Sequence, residues 1–255
     1  MTNETALIEP GCQAPIIAAI EHISHQAAEP ERLKEIKKIF DPKIEMRGSV
    51  ATIPIKGALA QDASLFERIV GFEDIRPIGD LLQRASTDSQ VRSIMLDIDS
   101  PGGFVTGVPE LGQQVRQAAR RKPVMAFTDG MMASAAYWLG SQAQQVIASP
   151  SSRVGSIGAF VAVMDVSRLI ESMGVNVELF KNREGTFKAA GMVGTSLSEE
   201  QRDEIQSGVQ RVFDQFRDAV VLMRSNIPDD AMRGQVFDGQ QARENNLVDA
   251  VGTRS

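Results

Sequence analysis

Between Ser49 and Phe180 the chain alternates short apolar runs with stretches of helical spacing, and this alternation limits the available folds. Val50-Ala51-Thr52-Ile53-Pro54-Ile55 reads as a strand that Gly57 ends. Phe72 to Ala85 places Ile75, Ile78, Leu81 and Leu82 on one helical face. Ile94, Met95, Leu96 and Ile98 mark a buried strand within Arg92 to Ile98. A helix over Val108 to Ala119, a strand over Pro123 to Phe127, a helix over Met131 to Ala143 and a strand over Val146 to Ala148 follow. Gly158 to Met164 reads as strand, Val166 to Met173 as helix and Asn176 to Phe180 as strand. Strands that alternate with helices predict an α/β fold, with a parallel sheet and crossover helices. From Ser198 the pattern changes to one long amphipathic helix, opened by Ser198 as N-cap with Gln201 three residues on. Ile205, Val209, Val212, Phe213, Phe216, Val220 and Met223 supply its apolar face. Met232 to Val236, Asp238 to Asn245 and Leu247 to Gly252 close the chain.

Residues 1–48 stand apart as an N-terminal arm, with an apolar run over Pro15 to Ile20 and a charged, helical stretch over Glu29 to Lys38. Asp41-Pro42 is its stop. A helical arm packed on the body or on a neighbour fits this sequence, and disorder fits it equally well. Residues 49–255 form the body. With 255 residues the chain can bury a full core. Its net charge of -6 argues against nucleic acid, whose phosphates demand clustered Lys and Arg. Cys12 is the single cysteine, so no disulfide forms within the chain and a reducing, cytoplasmic setting is expected. No signal peptide or membrane anchor is expected, because the apolar runs fall short of the roughly 18 residues of a spanning helix.

The chemistry must come from few residues. Both histidines, His22 and His25, fall in the arm, so a Ser-His-Asp triad would require the arm to fold back onto the sheet. No zinc, calcium or phosphate-loop pattern is present, and no metal or cofactor is expected. Three segments remain. Asp99-Ser100-Pro101-Gly102-Gly103 follows a strand and precedes a helix, and its glycines free backbone N–H groups to face an anionic oxygen. By itself such a turn is more often only a turn. Ala133-Ser134-Ala135-Ala136-Tyr137 sets a serine among small residues at a helix start, where the helix dipole favours an oxyanion. Taken alone, a serine packed in an Ala-rich helix is the commoner reading. Lys188 lies in the glycine-flanked loop Lys181 to Gly191. A loop lysine is usually solvated, but a serine without a usable histidine needs another base. Bringing a lysine from its usual range near pH 10 to the 7–8 of a working base costs about 4 kcal/mol, supplied by burial.

In this order the segments resemble the signal peptide peptidase A (protease IV) family, most closely its short phage and prophage capsid-maturation members. The likeness runs from Ser49 to Gly252 and includes Val154-Gly155-Ser156-Ile157-Gly158 and the Ala242 to Val251 stretch. It implies a crotonase/Clp-protease-like fold of repeated ββα units with a C-terminal helical region. It also implies Ser134 as nucleophile, Lys188 as base, and the N–H groups of Gly103 and Ala135 as oxyanion hole. Ser156 and Lys181 are the rival serine and lysine, ranked lower on their settings. The expected activity is serine endopeptidase action on a protein or peptide substrate, in phage capsid maturation or cytoplasmic peptide degradation. The expected assembly is a homo-oligomer whose sites are shared between subunits, in the cytoplasm or a procapsid. A crotonase-like acyl-CoA enzyme and an inactive structural relative are the alternatives.

Overall fold

The structure, a computed structural model, describes residues 40–254. Cys12, His22, His25 and most of the arm lie outside the described residues. Among the described residues the central sheet has the order β1 (Glu45–Arg47), β2 (Val50–Lys56), β5 (Ser93–Asp99), β6 (Val124–Thr128), β8 (Gln145–Ala148), β11 (Ala250–Val251). β1 runs antiparallel to β2, on the arm side of the boundary expected at residue 48, and all other neighbours are parallel. Parallel strands are covered on both faces, so they read as near-continuous apolar runs. Ile53 and Ile55 of β2 and Ile94, Leu96 and Ile98 of β5 are accordingly buried.

A second layer lies beside this sheet. β3 (Ala58–Ala60) pairs in parallel with β4 (Phe72–Asp74). β7 (Met131–Ala133) pairs in parallel with β9 (Arg153–Gly155), which pairs antiparallel with β10 (Val236–Phe237). The turn after β5 joins the two small sheets, because Gly103 bridges to Leu59 of β3 and Ser100 bridges to Met132 of β7. The second layer thus runs β4–β3–turn–β7–β9–β10.

Two expected helices begin later than their spacing suggests. Residues 72–74 are strand, and α2 (Ile75–Thr87) starts after Asp74, whose carboxylate accepts the Arg76 N–H. Residues 131–133 are likewise strand: Ser100 N–H donates to Met131 O and Ala133 N–H to Ser100 O, so this backbone is committed to a ladder. α4 (Ala135–Ser141) follows Ser134. α3 (Val108–Ala119) has the expected bounds.

Residues 158–164 and 176–180, expected as strands, form none. A strand is completed by its neighbour, and none pairs with them among the described residues. Between them lies the short helix α5 (Ser167–Ser172). The long helix α6 (Glu199–Met223) opens on the expected capping box of Ser198 and Gln201. Its last third packs on the central sheet's helices. Phe216 stacks on Trp138 of α4 with ring centroids 4.8 Å apart, and Gln142 donates to Ala219 O at 3.1 Å. Arg224, just past the helix, donates to Ser141 O and Ala143 O and pairs with Asp249. A 3-10 turn (Asp229–Met232), β10, α7 (Gly239–Glu244) and β11 complete the described chain.

Candidate active site

β7 ends against β9, and the chain must turn at once to begin α4. Ser134 makes that turn with φ 52° and ψ -127°, a sparsely populated region for a residue with a side chain. Its N–H donates to Gly155 O at 2.8 Å, and its carbonyl accepts the Trp138 N–H at 2.9 Å. The backbone is thus held on both sides while Oγ, which caps nothing, makes no hydrogen bond among the described residues. Such strain persists only where its surroundings enforce it, and it collects at functional sites.

The turn after β5 meets this serine closely. A Cβ on Gly102 would lie 2.6 Å from Ser134 Cβ and 2.9 Å from both Ala133 O and Ala135 N. Gly102 also has φ 99°, so this position demands glycine twice over. Gly103 is pressed against β3: a Cβ there would lie 2.1 Å from Leu59 O. Leu59 N–H donates to Gly102 O at 2.8 Å and Phe104 N–H donates to Leu59 O at 2.9 Å. In that parallel pattern the Gly103 N–H and C=O face away from β3. Ala135, in the first turn of α4, has no intrahelical acceptor for its N–H. Neither N–H has a partner among the described residues. Ser134, Gly103 and Ala135 are therefore brought together.

Lys188 is placed differently. It is exposed, in a run of turns where its N–H donates to Gly185 O at 3.0 Å, and its Nζ makes no hydrogen bond to Ser134. The rival Lys181 spends its Nζ on Thr186 O at 3.3 Å. Thr186 O also accepts from Gln201 Nε2 at 2.6 Å, which ties this loop to the first turn of α6. The rival Ser156 lies one residue beyond the carbonyl that receives the Ser134 N–H, with φ 52° and its own N–H on Gln235 O.

Residues not singled out in the sequence complete the frame. Asp99 accepts the Met131 N–H at 3.0 Å, and a Cβ on Gly130 would strike its carboxylate. At the end of β5, Asp97 pairs with Lys56 at 3.2 Å and Arg254 at 2.5 Å, and Arg254 also reaches Asp129 and lies over the Phe127 ring. Burial pushes the Asp97 carboxyl up, but the hydrogen bond from Arg254 and the charge of Lys56 outweigh it and hold the group below the usual carboxylate range. Among the described residues no group of three or more His, Cys, Asp or Glu is arranged to hold a metal ion, and no helix is long and apolar enough to cross a membrane.

Residues 116–255 match the model of peptidase family S49. The chain belongs to peptidase family S49. The match takes in Ser134 and Lys188 but begins after Gly103. Head-tail preconnector protein GP5 of Enterobacteria phage P21 is 30% identical over 79% of this chain and 40% of its own length. Protease 4 of Salmonella typhi is 30% identical over 80% of this chain and 33% of its own. Capsid assembly protease C of Escherichia phage lambda is 27% identical over 81% of this chain and 47% of its own. The matched region spans less than half of each of these relatives.

Proposed function

We propose that this S49 member is a serine endopeptidase in which Ser134 attacks the substrate carbonyl and Lys188 of a second copy serves as base. Ser134 Oγ would form the bond to carbon as its proton passes to Lys188 Nζ, and the Gly103 and Ala135 N–H groups would hold the developing oxyanion. The amine leaves with that proton, and water, activated in turn by the lysine, hydrolyses the acyl-enzyme. The observation that carries this reading is the strained Ser134, its hydroxyl unengaged, with the Gly102–Gly103 turn packed on its Cβ.

A second copy is invoked because a lysine base must be taken out of water. On the single chain Lys188 is exposed, and the stretch of chain from residue 158 to the Lys188 loop carries apolar side chains in solvent: Phe160 and Phe180 are each 88% exposed, Met164 73% and Met173 71%. Exposed apolar surface on this scale marks an interaction face. A neighbouring copy would cover it, supply a strand partner for residues 176–180, and bury the lysine beside a serine. The two-layer arrangement, with the oxyanion turn between its small sheets, supports the crotonase/Clp-like fold. The phage relatives' names favour a capsid-associated protein substrate, processed in the host cytoplasm or procapsid.

A fluorophosphonate probe should label the wild type at Ser134 and leave Ser134→Ala unlabelled. Mixed and re-annealed Ser134→Ala and Lys188→Ala proteins should regain part of the peptidase activity that each lacks alone. Labelling elsewhere would remove Ser134 as nucleophile. Absence of rescue after proven subunit exchange would remove the shared site, and CoA-dependent turnover would favour an acyl-CoA enzyme instead.

A further inference from the structure

Glu73 sits at the centre of β4, and its Oε1 is buried without a hydrogen-bond partner among the described residues. A buried acceptor without a donor is costly, and more so when charged. Three charged groups bear on it: Arg68 of α1 (Leu65–Ile69), Asp74 beside it on β4, and Asp41 from the segment before β1. Arg68 attracts the carboxylate, but it also donates to Asp41 at 2.6 Å and to Asp74 at 2.5 Å, and both of those acids repel Glu73. Burial, opposed by Arg68, pushes the Glu73 carboxyl up to about 7.

Its place in the ladder links this group to the site. Glu73 is the register partner of Leu59 on β3, and Leu59 bridges directly to Gly103. Glu73, Leu59 and Gly103 thus form one row across β4, β3 and the turn. The row is tight at its far end, where Gly103 leaves no room for a Cβ against Leu59. Beside it, Phe72 stacks on Phe104 with centroids 5.8 Å apart, so β4 and the oxyanion turn are also held through side chains. A shift of β4 relative to β3 would therefore pass to the turn.

We propose that Glu73 is a protonation-controlled positioning residue: as the neutral acid it lets β4 and β3 hold the Gly103 N–H toward Ser134, and as the carboxylate it loosens that row. This inference rests on the peptidase reading of Ser134 and Gly103. The sign follows from linkage. A carboxyl whose value is raised on folding contributes stability that is present below its unfolded value of 4.5 and lost as pH rises through about 7. A lysine base gains competence as pH rises, so Glu73 ionisation would act against it and lower the alkaline side of the activity profile.

The test compares full-length wild type with Glu73→Gln, which keeps the shape and removes the charge. Fluorophosphonate labelling rate at Ser134 is followed from pH 5.5 to 9. The Glu73→Gln to wild-type ratio should stay near one at the acid end and rise at least about threefold with a midpoint near 7. Superimposable pH profiles would overturn the proposal. Thermal unfolding over the same range supplies a readout independent of peptidase chemistry: the wild type should lose stability relative to Glu73→Gln as pH rises through 7. A constant difference there would also overturn it, even if neither protein labels. If neither labels but the stability difference does vary with pH, the peptidase reading fails and the link to Gly103 with it, while the buried titrating carboxyl stands. Should Glu73→Gln fail to fold, Glu73→Leu serves the same comparison, and the wild-type unfolding curve must still show the loss through 7.

Discussion

Gly102→Ala tests the close approach on which the proposed oxyanion hole depends. The added methyl carbon would sit 2.6 Å from Ser134 Cβ, against the roughly 3.5–4.0 Å at which carbon atoms rest. Ala133 O and Ala135 N, each 2.9 Å away, block sideways relief, so the turn must back away from the serine by about 1 Å. An oxyanion donor works at 2.7–3.1 Å, and a retreat of that size takes the Gly103 N–H out of range. Loss of one donor costs about 10²- to 10³-fold in kcat, and the left-handed φ of 99° adds about 1–2 kcal/mol of instability. Gly48→Ala is the control, since Gly48 has φ 60° but nothing within 4 Å of its Cβ position. It should cost about 1 kcal/mol in urea unfolding and leave kcat alone. The assay is steady-state peptide hydrolysis beside urea titration of both variants. A cooperatively folded Gly102→Ala protein with kcat within about threefold of wild type would refute the reasoning.

Other outcomes follow from the packing and charges. Phe216→Ala removes the ring stacked on Trp138 and should lower stability by about 3–5 kcal/mol in urea titration, so a loss below about 1 kcal/mol would mean that α6 is docked by something else. Asp97 is held below the usual carboxylate range, so its stabilising effect is complete above that range and disappears as pH falls through its depressed value. Asp97→Asn should therefore flatten the acid side of the Tm–pH curve; an unchanged acid limb would count against this role. Phe180→Asp, on a ring 88% exposed in the single chain, should shift the sedimentation profile toward smaller species, and an unaltered profile would exclude this residue from the interface.

The central sheet was legible because its strands are buried on both faces, which leaves runs such as Ile94-Met95-Leu96 apolar throughout. Caps were equally readable: Ser198 with Gln201 fixed the start of the long helix to the residue. The short strands of the second layer were not. Residues 131–133 and 72–74 carry apolar spacing that helices share, and their strand state is decided by partners far along the chain, Ser100 and Gly155 for one and Leu59 for the other. The same non-locality hid Glu73, whose significance depends on a register that no local pattern encodes. For the site, the glycines and the small residues around Ser134 were visible as a pattern, whereas the order of importance between Gly102 and Gly103 required the missing Cβ distances. Lys188 was picked out by elimination and likeness, and the single chain leaves it in solvent, where no local signal distinguishes it from any surface lysine.

The uneven docking of α6 bears on how such a molecule can diversify. A helix of 25 residues is about 37 Å long, and its anchors, Phe216, Ala219 and Arg224, sit at one end. Tilting it by about 10° about Phe216 would sweep the far tip, about 26 Å away, through about 4–5 Å while leaving the Trp138 stack almost still. Substitutions along the lever could thus re-aim the loop that carries Lys188 without touching the residues that shape the turn at Ser134.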